Sequence, residues 1–162
     1  SSFGVSNVNS WADMGAALDK AFAQSDMVMI ETMLEGMEIA QGVYKTKEKA
    51  VVFPATEVVS QNDFFDFDAK YNGQVTEITP ARLPKEVSDR VAKITSAVYD
   101  ILHANGIIRV DYIISNPQSA DAKINMLEIN TTPGMTPTSF IPQQVKAAGL
   151  DMGEVLADIV EN

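Results

Sequence analysis

Cysteine is absent from the 162-residue chain, which excludes disulfides and thiolate metal sites and fits a reducing, cytoplasmic setting. Histidine occurs once, at His103, so neither a His-based triad nor a His-rich metal site is expected. Bases are few: 12 Lys and Arg stand against 22 Asp and Glu, a formal charge of −10. An acidic chain repels nucleic acid unless its bases cluster, and these are scattered. The densest group, Lys45, Lys47 and Lys49, is interrupted by Glu48 and reads as a solvated turn. No apolar run approaches the length of a membrane span, so no membrane partner is expected. The opening "SSFGVSNVNS" has neither a methionine nor a leader pattern and reads as the middle of something longer.

What is present suffices for a core. Hydrophobic residues make up 46% of the chain, enough for one sizeable domain or two small ones. Ser10, with Asp13 three residues on, predicts a helix start with a capping box. Trp11, Met14, Leu18, Ala21 and Phe22 then share one helical face, up to Ser25 and Asp26. Strands are predicted at "MVMIETM" (27–33), "MEIAQGVYK" (37–45) and "AVVFPATEVVS" (50–60), with Pro54 requiring an edge or a bulge. "QNDFFDFDAKYNG" (61–73) is a long aromatic and acidic loop, and "VTEIT" (75–79) a short strand. The clearest helix follows Pro84, with Val87, Val91, Ile94, Val98, Ile101 and Leu102 as its apolar stripe and Gly106 as its C′ residue. Two strands, 107–115 and 124–130, are joined by a loop. Two short helices close the chain, the last opening at Asp151 with Glu154 in a second capping-box pattern.

The hairpin carries the chemistry. Side chains alternate across a strand, so Arg109 and Asp111 share one face, as do Glu128 and Asn130 on the partner strand. With Ser115 opposite Ile124, Asp111 lies opposite Glu128 and Arg109 opposite Asn130. Two carboxylates directly across a sheet repel. A divalent cation that prefers oxygen ligands offsets this, and magnesium is commonly held by one or two carboxylates together with substrate phosphates. The alternative is a wet sheet face with ordinary charges, which antiparallel sheets often carry. "TTPGMTPTS" (131–139) follows, rich in hydroxyls and backbone N–H groups. It suits an anion, or serves simply as the entry to a helix.

"RVDYII" followed by "LEINTTPGMTPTS" resembles the D-alanine–D-alanine ligases of the ATP-grasp superfamily. Their pattern is R-x-D on one strand, then E-x-N-T-x-P-G-M-T and a serine five residues after the glycine. "SSFGVS", "IETMLEGMEIA" and "FDFDAKY" resemble further segments in the family's order, so the likeness covers essentially the whole chain. It implies an α+β fold, a portion of the ATP-grasp fold with a mainly antiparallel sheet flanked by helices. Residues 1–33 would be a remnant of the central domain and 34–162 the C-terminal catalytic domain.

The resemblance also implies roles. Asp111, Glu128 and Asn130 match magnesium (or manganese) ligands, and Arg109 the arginine that stabilises charge at the reacting acyl centre. Glu38 matches the acid on the ribose hydroxyls, and Glu31, Thr32, Met33 and Leu34 the stretch that reads adenine. Phe64 and Lys70 match nucleotide-side positions, with Lys70 near the transferred phosphate. Tyr71 matches a tyrosine that helps fix the loop at Ser1 and is associated with dipeptide synthesis. Gly134 and Ser139 match positions that bind the second D-alanine. Taken singly, Glu38, Lys70 and Tyr71 read as ordinary surface residues.

The implied substrates are ATP and D-alanine, joined through an acyl phosphate to make the dipeptide of peptidoglycan. A truncated central domain leaves sheet edges and apolar faces uncovered, so a homodimer that covers them is expected. The family's N-terminal domain and the first part of its central domain are missing from the pattern, so the chain by itself is expected to lack ligase activity. Competing readings are a related ligase, such as a D-alanine–D-lactate ligase, and a non-catalytic nucleotide- or metal-binding module.

Overall fold

The computed structural model describes residues 3–60 and 75–161. The chain divides into two compact units, Ser1–Leu34 with Ser60–Thr76, and Glu35–Val59 with Glu77–Asn162.

In the first unit Ser10 caps a single 3-10 turn, Trp11–Asp13, its hydroxyl accepting from the Ala12 N–H at 3.2 Å. Helix α1 (Met14–Phe22) follows. The expected capping box does not form: Asp13 lies inside the turn and its N–H bonds the Ser10 carbonyl. Nor does the apolar face become a core face, because α1 buries no residue and Trp11 is 87% exposed. The strand expected at 27–33 is absent as well. Met27, Met29, Ile30 and Met33 are exposed there. An apolar run becomes a strand only where a neighbouring edge takes up its N–H and C=O groups, and no described strand pairs with it.

The sheet belongs to the second unit apart from Ser60, Val75 and Thr76, which are grouped with the first. Its strands are β1 (Met37–Lys45), β2 (Ala50–Val52), β3 (Thr56–Ser60), β4 (Val75–Ile78), β5 (Ile107–Ser115) and β6 (Lys123–Asn130). They run in the order β4-β3-β1-β5-β6, with β2 also paired to β1. The pairings of β1 with β2, β3 and β5, and of β5 with β6, are antiparallel. The expected 50–60 strand is thus two strands. Pro54 has no N–H to give a ladder, so pairing to β1 stops after Val52 and resumes at Thr56.

Helix α2 (Lys85–Ile101) covers one face of the sheet, and α3 (Phe140–Ala147) and α4 (Met152–Val160) lie on the other. Val87 and Val91 of α2 pack with Ile39, Val43, Ile108, Val110, Tyr112 and Ile114. Ile141, Val145 and Val155 pack with Tyr44, Phe53 and Ile107 on the opposite face. Two covered faces explain why β1 is buried continuously from Ile39 to Tyr44 rather than alternately.

The stripe of α2 differs from the expected one. Its buried line is Val87, Val91, Thr95 and Tyr99, an unbroken i+4 row, while Ile94, Ile101 and Leu102 are exposed. The two polar residues are tolerated because their hydroxyls are satisfied. Thr95 Oγ1 lies 2.8 Å from Tyr112 OH and 2.8 Å from Gln41 Oε1, Gln41 Nε2 donates to the Phe53 carbonyl at 2.9 Å, and Tyr99 OH donates to the Gly106 carbonyl at 3.0 Å. The C′ residue is His103, at φ 48°, not Gly106. The His103 N–H bonds the Asp100 carbonyl and the Ala104 N–H bonds the Tyr99 carbonyl, which is a Schellman ending. The lysine turn also departs from expectation: Lys45 pairs with Asp100 and Lys49 with Asp158.

Glu57, on β3, is buried and accepts from Arg82 Nε at 2.8 Å and Nη2 at 2.6 Å. Those bonds hold its carboxyl below the ordinary range, against the opposing effect of burial. A lowered folded pKa means the contribution is fully present above the unfolded value of about 4.3 and is lost as pH falls through the folded pKa. Glu57→Gln in the 162-residue chain is therefore expected to cost about 1 kcal/mol at pH 7, discounted because Arg82 is exposed, and to flatten the acid limb. Urea titrations of both proteins between pH 7 and pH 3 check this; parallel acid limbs would exclude Glu57 as the source.

Candidate active site

The hairpin of β5 and β6 brings four polar side chains to the face that carries α3. Arg109 stands opposite Asn130 and Asp111 opposite Glu128, as the sequence suggested. The closing pair differs: Ser115 faces Lys123, one residue earlier than expected. The two registers are reconciled by a bulge, since Tyr112 pairs with Met126 and Asp111 with Glu128, leaving Leu127 as the extra residue. Without it, Asp111 would face Leu127, because a one-residue slip exchanges the faces of a strand.

Arg109 grips Asp111 in a bidentate fork, Nε to Oδ1 at 2.8 Å and Nη2 to Oδ2 at 2.8 Å. The two side chains keep only 17% and 13% of their exposure, so this is not a surface pair. Asn130 Nδ2 donates to Asp111 Oδ2 at 3.1 Å and to Glu128 Oε1 at 3.2 Å. One amide thus stands between two carboxylates that would otherwise repel. Burial raises the Asp111 pKa, with the Glu128 charge adding to it and Arg109 opposing. Burial works against the Arg109 charge, but Asp111, Glu128 and Glu38 outweigh it, and its pKa rises.

Glu38 belongs to the same face. Antiparallel pairing places Glu38 beside Ile113, Ala40 beside Asp111 and Gly42 beside Arg109, and side chains in register share a face. Beyond β6, the loop 131–139 leads into α3. Ser139 is the N-cap residue, but its hydroxyl does not cap the helix; it meets Thr136 Oγ1 at 2.8 Å. A Cβ on Gly134 would lie 2.7 Å from Ser139 Oγ, so a larger residue there would force that hydroxyl to move. Gln143 Nε2 ties the loop down by donating to the Thr138 carbonyl at 2.9 Å.

Arg109, Asp111, Glu128, Asn130, Glu38, Gly134 and Ser139 therefore all lie in the second unit. Glu31–Leu34 belong to the first, without regular secondary structure; Glu31, Thr32 and Met33 are exposed and Leu34 is half-buried. Ser1, Phe64, Lys70 and Tyr71 lie outside the described residues. Among the described residues, no three or more His, Asp or Glu side chains converge as an ion site. No described helix is long and apolar enough to cross a membrane. A cleft of about 490 Å³ lies elsewhere, lined by Tyr44, Lys49, Val51 and Asp158 among others, and there Asp158 is already held by Tyr44 and Lys49.

The family model described as D-ala D-ala ligase C-terminus matches residues 1–161. The chain belongs to that family. A D-alanine–D-alanine ligase from Phocaeicola vulgatus is 60% identical over all 162 residues, which make up 49% of that protein. The chain thus spans about half the length of the curated relatives it matches. The solved VanG D-Ala:D-Ser ligase of Enterococcus faecalis superposes with a TM-score of 0.84 at 28% identity, covering 99% of this chain and 46% of that one. The ATP complex of the Bacillus anthracis D-alanine–D-alanine ligase gives 0.74 at 29%, covering 95% and 48%. The antiparallel sheet flanked by helices is accordingly that of an ATP-grasp ligase.

Three residues of this family member escaped the sequence reading. Phe140 places its ring 5.1 Å from the Arg109 guanidinium. Gln144, one helical turn on, is fully buried. Gly42 lies under Gln144, and a Cβ there would come within 2.5 Å of Ile141 Cδ1 and 2.9 Å of Gln144 Oε1. The available signals were a glycine inside a strand, which marks close approach, and a glutamine one turn after an aromatic in an amphipathic helix.

Proposed function

We propose that this chain supplies the sheet-borne half of the active site of an ATP-dependent D-alanine–D-alanine ligase. The observation that carries the reading is the single hydrogen-bonded cluster of Arg109, Asp111, Glu128 and Asn130, with the Gly134–Ser139 loop directly after it. The name of the Phocaeicola relative and the bound ATP of the Bacillus structure support the same substrates.

In this reading the carboxylate of one D-alanine attacks the γ-phosphate of ATP. An acyl phosphate forms and ADP leaves. The amine of a second D-alanine then attacks the acyl carbon and releases phosphate. Both steps gather negative oxygens, so a fixed cation placed where charge develops lowers the barrier. Arg109, aimed by Asp111, meets the oxyanion of the second step. Glu38 holds the ribose hydroxyls, and Ser139, given room by Gly134, accepts the carboxylate of the second D-alanine. By the family resemblance, Lys70 would act near the transferred phosphate, Tyr71 would fix the loop at Ser1, Phe64 would serve the nucleotide, and Glu31–Leu34 would read adenine.

Asp111, Glu128 and Asn130 would hold magnesium. Their donor set fits a hard cation: two carboxylates converge on one amide, whose other terminus is an oxygen. The ion would supply charge neutralisation for the phosphate oxygens. The protein would act in the cytoplasm as a homodimer.

A D-alanine–D-serine product is the competing reading, favoured by the VanG likeness. The deciding experiment offers the full-length protein carrying this sequence ATP with D-alanine alone, or with D-serine or D-lactate. ATP-dependent D-alanyl-D-alanine is expected as the principal product. Preference for another acceptor, or no phosphate release with any, would overturn the assignment.

A further inference from the structure

Gln144 is a polar side chain with no exposure at all, and none of its partners lies on its own helix. Its Oε1 accepts from the Gly42 N–H at 2.8 Å, and its Nε2 donates to the Ala40 carbonyl at 2.9 Å and to Thr56 Oγ1 at 3.0 Å. A carboxamide has two N–H donors and one oxygen, so both donors and the acceptor are engaged with β1 and β3. Apolar packing alone would resist separation of α3 from the sheet, yet it is non-directional and would let the helix slide or rotate. Three directional bonds to fixed strand groups admit one placement. Gly42 makes that placement reachable, since any Cβ there would meet Ile141, Gln144 and Phe53.

The consequence falls one turn away. Phe140 and Gln144 are four residues apart and so share a helix face. Asp111 grips the Arg109 guanidinium by its edge, and Phe140 lies over that group at 5.1 Å. Edge and ring together leave the cation little freedom to swing. Ser139, immediately before Phe140, is carried by the same turn.

We infer that Gln144 is a positioning residue for the ligase reaction: by locking α3 onto β1 and β3, it sets Phe140 against Arg109 and Ser139 beside the acyl centre. This rests on the ligase reading above and adds to it a residue that touches no substrate.

The test uses the full-length ligase with Gln144→Met, which keeps the volume and removes the bonds, and Phe140→Leu, which removes the ring and leaves the helix lock intact. Gln144→Met is expected to raise the KM for the amine-donating D-alanine about tenfold, as when one hydrogen-bonding group is misplaced, with the KM for ATP within about twofold. Partial unfolding would lower kcat but move neither KM. Phe140→Leu is expected to lower kcat per folded enzyme about tenfold. A folded Gln144→Met protein with both KM values unchanged overturns the inference. If Gln144→Met does not fold, Phe140→Leu decides, and an unchanged kcat overturns it. A wild-type protein that makes no dipeptide sinks the ligase reading itself, and the two failures are told apart by that control.

Discussion

Asp111→Asn in the full-length protein carrying this sequence is expected, on the proposed ligase function, to lower ATP-dependent turnover by about three orders of magnitude while the protein stays folded. Asparagine keeps the shape and still offers one oxygen to the Arg109 fork that now meets the carboxylate twice at 2.8 Å. What it removes is one of the two negative charges that converge on Asn130. A cation held there would lose affinity, and several kcal/mol of charge stabilisation at the phosphates would go with it. Glu128→Gln should behave alike but fold more comfortably, because Glu128 is exposed and Asp111 is not. Steady-state phosphate release, with circular dichroism as the control for folding, measures both. Turnover within tenfold of wild type for either variant would leave the metal assignment without support. A non-catalytic binding module would show no turnover to lose.

Arg109→Lys is the second large effect. Lysine keeps the charge and loses the planar fork. The bidentate grip on Asp111 and the stacking on Phe140 would both disappear. Removing one preorganised donor at a developing oxyanion costs about 10²–10³ in kcat, and the same range is expected here, with little change in the KM for ATP. Arg109→Ala should in addition destabilise the fold, because it leaves Asp111 buried beside Glu128 with no cation. Comparing kcat and unfolding midpoints for the two variants separates the catalytic from the structural part. A lysine variant with full kcat would move the oxyanion role away from Arg109.

Much of this was legible in the chain. The hairpin strands and the long helix after Pro84 followed from alternation, helical period and turn chemistry, which are local; Asp111 does face Glu128, but through a bulge and not through the regular register that the sequence suggested. The failures share a cause. Residues 27–33 have the composition of a strand, yet pairing depends on a neighbouring edge that no local pattern reveals. Ile94 and Ile101 look more like core than Thr95 and Tyr99, but the sheet accepts the i+4 row whose hydroxyls find Gln41, Tyr112 and Gly106.

Residue types and their order by themselves determined the chemistry on offer: two acids, an amide and an arginine at alternate strand positions, then a loop of hydroxyls around Gly134. Only the tertiary structure decided how they meet. The bulge at Leu127 brings Glu128 across from Asp111, and Gln144, 102 residues from its partner Gly42, brings Phe140 over Arg109. Both are matters of register between segments distant in the chain. Register is set by which hydrogen bonds and packed faces can be satisfied together, not by the preferences of any one segment.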